Sequence, residues 1–128
     1  MTKPRWLERC VALPGPYLTL CLSEDEYLAA MKHCKIKHPP AWVKTERAQA
    51  TAHFLQHDNN ELVCVVCLRA WENRDPIEVA GLLVHESVHI WQEYAAGMGE
   101  ATPGSEQEAY AIQSISQQLM AEFSRRVT

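Results

Sequence analysis

The apolar positions of this chain fall into blocks separated by polar, proline-bearing or glycine-bearing links. The first block, "PYLTLCL" over residues 16–22, has the composition and length of a strand. "SEDE" follows, and Ser23 with Glu26 three residues later makes a capping box, so a helix is expected to start there. Tyr27, Leu28, Met31 and Cys34 recur at helical spacing, and Pro39 and Pro40 bar continuation beyond "KHPP". "ATAHFLQ" (50–56) and "ELVCVVCL" (61–68) flank "HDNN" and read as a hairpin. The second run is apolar throughout and belongs inside a sheet. The first is more polar and suits an edge.

The best helix is "RDPIEVAGLLVHESVHIWQEY". Asp75 can cap it, Pro76 suits the first helical position, and Glu78 completes a box. Gly97 and Gly99 end it. A last helix, about residues 106–125, carries Glu108, Ile112, Ile115, Leu119 and Phe123 along one stripe. The order β-α-β-β-α-α does not alternate strictly, so the expected class is α+β with a small mixed sheet.

A length of 128 residues fits one domain, 1–128, with residues 1–15 as an N-terminal extension. Nearly half the residues are apolar, enough for a real core. The formal charge of −4 argues against nucleic acid as a partner. One basic cluster exists, Lys32, Lys35, Lys37, Lys44 and Arg47 with His33 and His38 between them, and it reads as a solvated loop. Five cysteines in no secreted-scaffold spacing suggest a reduced, cytoplasmic protein. Lys3, Arg5 and Arg9 precede a run broken by Pro14, Gly15 and Pro16, which makes a poor signal peptide. No stretch has the length to span a membrane.

The chemistry concentrates in "HESVH". Positions i and i+4 share a helix face, so His85 and His89 can aim two imidazoles at one point. Zinc accepts such nitrogens at about 2.0–2.1 Å, with room for a third protein ligand and a water. Glu86 lies about a quarter turn away and can reach that water as a general base. The bond attacked would be a peptide or other amide. The bland alternative is a buried helix with two satisfied histidines, since Leu82, Leu83, Val84, Val88, Ile90 and Trp91 surround them.

The third ligand has candidates in Glu93, Glu100, Glu106 and Glu108. Glu93 would have to curl back, and Glu100 sits in a glycine-rich link. Glu108 falls within about 40° of the apolar stripe of the last helix, whereas Glu106 lies toward Tyr110, Gln113 and Gln117. A carboxylate on the core-facing side calls for a partner. Ser105 and Glu108 also fit a capping box, and Thr102 with Pro103 offers a competing helix start that would free Glu108. Glu108 is the leading ligand candidate, Glu106 the second, and a site without a glutamate ligand stays open.

"HESVH" followed by "EQEAY" resembles the zincin metallopeptidases, in particular the gluzincin branch, where a glutamate followed by alanine stands on the next helix. The resemblance implies a minimal zincin core in a small single-domain form. It implies one Zn²⁺ on His85, His89 and Glu108. It also implies an edge strand, here "TAHFL" (51–55), that pairs with an extended peptide or protein substrate. Ile112 stands where larger members often carry an aspartate, and Tyr94, Tyr110, His53 and His57 all remain candidates for the oxyanion stabiliser.

Cys64 and Cys67 would face opposite sides of a strand. The bland reading is two core cysteines; a structural zinc site would need Cys34 and His38 as a second pair. For function the alternative to a zinc metallopeptidase is a non-catalytic zinc-binding interaction or structural module. Intact Glu86 argues against it, because a structural site has no use for a base.

Overall fold

The structure, a computed structural model, describes residues 3–7, 16–45, 47–56, 61–97 and 104–128. Three strands and three helices follow one another in the expected order: β1 (Tyr17–Cys21), α1 (Glu24–His33), β2 (Ala50–Gln56), β3 (Leu62–Leu68), α2 (Pro76–Gly97) and α3 (Ser105–Val127). A short 3₁₀ turn at Trp71–Asn73 precedes α2. The class is α+β, with a small mixed sheet.

β3 occupies the centre, parallel to β1 and antiparallel to β2. Its apolar character on both faces is the reason. Cys64, Val66 and Leu68 enter the core shared with α2 and α3, while Val63, Val65 and Cys67 enter a second core with α1. Cys64 and Cys67 therefore point to opposite faces, as alternation requires. Both thiols are buried, which raises their pKa; for Cys67 the largest cause is a hydrogen bond with Cys21, its partner in the β1–β3 register. Such thiols are packing residues with little thiolate character.

Leu83 of α2 and Ile115 of α3 are completely buried in the larger core. Truncating either to alanine costs about 2–5 kcal/mol.

Local signals place the helix ends. The Ser23 hydroxyl accepts from the Glu26 N–H, and the Glu26 carboxylate reaches back to the Leu22 N–H at 3.0 Å, one residue beyond a standard box. α1 ends at His33, well short of Pro39. Lys35 takes a left-handed φ of 62°, and the Lys35 and Ile36 N–H groups return to Lys32 and Met31 carbonyls. That is a Schellman ending, with Ile36 packed into the same core as Met31. At α2 the Asp75 carboxylate accepts from the Ile77 N–H at 2.8 Å. Glu78 instead faces Arg74, at 3.7 Å.

The expected extension is partly built into the fold. Leu7 N–H donates to the Leu18 carbonyl, Thr19 Oγ1 donates to the Arg5 carbonyl, and Arg5 pairs with Glu122 of α3. Cys10, the Pro14–Pro16 break up to Gly15, the "HDNN" turn, Gly99, Glu100 and the Thr102–Pro103 start lie outside the described residues. No described helix is long and apolar enough to cross a membrane.

Candidate functional site

α2 buries Val79, Leu83, Glu86, Ser87, Ile90, Trp91, Tyr94 and Ala95. These recur every three to four residues, which is one helical face. Glu86 falls on that face and His85 and His89 on its margin. Glu86 is therefore 6% exposed, while both histidines are exposed. Ser87 is satisfied by donating to the Leu83 carbonyl at 2.6 Å. Glu86 has no hydrogen-bond or ion-pair partner among the described residues. Its carboxylate opens into a cleft and is not sealed in the core.

The two imidazoles converge. Their Nε2 atoms lie 3.2 Å apart, with ring centroids at 4.8 Å. Two nitrogens bound to one tetrahedral zinc at about 2.0–2.1 Å stand roughly 3.3 Å apart, so the pair fits the edge of such a site. One shared proton between the rings fits the same distance.

Both histidines and Glu86 line a cleft of about 190 Å³ whose other walls are Lys44, Ala48, Ala50, Thr51, Ala52 and Phe54. β2 is thus placed beside the motif. The Arg69 N–H to Gln49 carbonyl bond sets the phase of the hairpin. In an antiparallel ladder alternate residues turn their backbone groups outward, so Ala50, Ala52 and Phe54 present theirs away from β3. No described residue hydrogen-bonds to them.

Glu108 goes elsewhere. Its Oε2 accepts from Trp91 Nε1 at 2.9 Å. Glu108 is exposed rather than core-facing, and the partner it finds on α2 is an indole. The Ser105–Glu108 capping box is not made: α3 begins at Ser105 with Gly104 at the cap position and no side-chain cap. Glu106 is exposed on the first turn of α3, and Glu93 is exposed on α2. Among the described residues no group of three or more His, Cys, Asp and Glu is arranged to hold a metal ion.

That finding overturns the resemblance to the zincin metallopeptidases and to their gluzincin branch. The likeness needs a glutamate from the following helix beside the histidine pair, and the Trp91 indole holds the Glu108 carboxylate instead. The chain is an α+β domain without that assignment. It matches no family model, and neither the curated proteins nor the solved structures contain a significant match.

The oxyanion candidates also disperse. His53 Nε2 is held by the Trp42 carbonyl at 2.9 Å, on the α1 side of the sheet. Its ring lies 4.8 Å from that of Tyr27, whose hydroxyl donates to the Pro40 carbonyl. Burial, and then Cys67 and Cys21, push the Tyr27 pKa up to about 12. Tyr94 packs on Trp91, Tyr110 is 67% exposed, and His57 lies outside the described residues. The cation that does line the cleft is Lys44, which sequence reasoning left in a solvated loop.

A second overlooked residue is Glu122. It is 4% exposed and lies on the buried stripe of α3 with Ile115 and Leu119. The phase argument that selected Glu108 applies equally to it. Arg125, and then Arg5, hold its carboxyl below the usual carboxylate range.

Proposed function

We propose that the cleft between α2 and β2 hydrolyses peptide (amide) bonds with the aid of one Zn²⁺ held by His85 and His89, with no third protein ligand assigned. The observation that carries this reading is the convergent pair of imidazoles beside Glu86, which lines the same cleft and has no partner among the described residues. When bound, the ion would supply Lewis acidity toward a carbonyl oxygen and an acidified water. Glu86 would accept the proton of the attacking water on its carboxylate and release it to the leaving nitrogen. The outward backbone groups of Ala50, Ala52 and Phe54 would align an extended peptide by strand addition. Ala48, Ala50 and Ala52 leave space for the chain, and Lys44 places a cation at the wall. A structural zinc site closes four protein ligands around its ion. Two exposed imidazoles and an unpaired acid favour an open, hydrolytic site over that reading.

Zinc per chain, measured by elemental analysis after dialysis, tests the first half. About one ion is expected, lost in His85→Ala and His89→Ala. Glu108→Gln keeps an acceptor for Trp91 but removes the charge. Reduced zinc content in that variant makes Glu108 a ligand, and unchanged content leaves it as the partner of Trp91 alone. Protein that gains neither zinc nor thermal stability on addition of the metal defeats the proposal.

A further inference from the structure

A second cleft lies at the other edge of the sheet, between residues 3–5, the C-terminal end of β1 and the last turns of α3. Its walls include Lys3, Arg5, Arg125 and Arg126, with Glu26 as an acid among them, and its volume is about 260 Å³. Glu122 sits buried behind them. Its Oε1 accepts from Arg5 Nε at 2.9 Å and from Arg125 Nε at 3.0 Å, and its Oε2 accepts from Arg125 Nη2 at 2.7 Å. Arg126 Nη1 stands 3.9 Å from the same oxygen, while its Nη2 is bonded to Glu26. The other oxygen of Glu26 takes the Leu22 N–H.

Both carboxylates are thus used by the protein, and four cations in all stand against these two anions. The chain as a whole has a formal charge of −4, so this local excess of two positive charges runs against its overall balance. Glu122 also fixes geometry. A carboxylate that engages the Nε edge of a guanidinium orients the planar group and leaves its terminal N–H groups for something else. On Arg5 both Nη groups have no described partner, and neither does the Lys3 ammonium. The Arg5 fork, oriented through its Nε, and the Lys3 ammonium line a concave space smaller than a drug-sized pocket, with Pro4, Leu20 and Cys21 as less polar wall.

We infer that this cleft binds a phosphate-sized dianion, either free or as the terminal group of a small phosphate monoester. The ion network does more than fasten residues 3–7 to α3: it holds guanidinium groups ready for an oxyanion. The inference is independent of the histidine cleft, which opens beside the opposite outer strand.

The test is calorimetric titration of the full chain with inorganic phosphate and with methyl phosphate, against chloride at equal ionic strength. Saturable binding of one phosphate per chain is expected. Lys3→Glu should weaken it at least tenfold while leaving the melting temperature without phosphate unchanged, because Lys3 bonds nothing described. Arg5→Gln should weaken it as well. Tighter binding of methyl phosphate assigns a monoester, and tighter binding of inorganic phosphate assigns the free ion. Phosphate that binds no better than chloride overturns the inference. So does undiminished binding by Lys3→Glu, whether or not the Arg5 variant folds.

Discussion

β1 and β2 are both outer strands of one three-stranded sheet, and they are finished in opposite ways. Along β1 the chain lays down residues 3–7, hydrogen-bonded to Leu18 and Thr19 and anchored by Arg5 on Glu122. β2 keeps the outward backbone of Ala50, Ala52 and Phe54 without a described partner, beside His85, Glu86 and His89. An outer strand is a template for further pairing, and proteins usually cover it or charge it. Here one edge is covered by the chain itself, and the other keeps no described partner beside the histidine pair.

The largest effect is expected at the open edge. Glu86→Gln removes the base but not the histidines, so zinc should be retained and peptide turnover should fall about 10²–10⁴-fold. A peptide-library assay on the zinc-loaded variant checks this, and full activity would end the proposed mechanism.

Next comes the closed edge. Glu122→Leu should lower stability by about 2 kcal/mol in urea denaturation, since Arg5 and Arg125 lose their acceptor. The loss stays below that of a fully buried pair because both arginines are more than half exposed and can turn to water. The same residue predicts a pH dependence. The Glu122 carboxyl is held low, chiefly by Arg125, so its folded pKa lies below its unfolded value of about 4.3. Its stabilisation is complete above the unfolded value and disappears as pH falls through the folded one. The urea midpoints of wild type and Glu122→Gln should therefore converge in acid. Curves that stay parallel down to about pH 2 would contradict the linkage.

Ala52→Pro probes the open edge without touching the ladder, because the Ala52 N–H points away from β3. Proline is tolerated at such positions. KM should rise about tenfold through loss of one strand-addition bond, with a stability change near 1 kcal/mol. Equal KM values would remove β2 from substrate binding. The smallest effect is Leu7→Pro, which deletes the N–H to Leu18. It should cost about 1 kcal/mol and promote self-association, visible in light scattering.

Much of this was legible in the chain. The run at 62–68 is apolar at every position, and only a strand covered on both faces can use that. Ser23 and Asp75 announced two helix starts because a cap is a local bond. The spacing of His85 and His89 put them on one face before any packing was known. The end of α1 was less legible: Lys35 adopts a left-handed φ that glycine usually supplies, so the proline pair looked like the stop signal. Glu108 was half legible. Its phase set it near the core-facing stripe, but phase gives a direction and not a partner, and the residue is exposed. Glu122 was missed although the same phase argument covers it, because it sits near the end of α3 between a phenylalanine and an alanine, away from any motif.

By itself, then, the sequence determined what depends on neighbours a few residues apart: element types, caps, the central place of β3, and two imidazoles on one face of α2. Only the tertiary structure decided where the long side chains ended. Arg5 finds Glu122 across 117 residues, and Glu108 finds Trp91 from another helix. The relative placement of elements sets those contacts. Periodicity tells each helix which face to bury, but the rotation and height at which two faces meet come from the packing of the whole core.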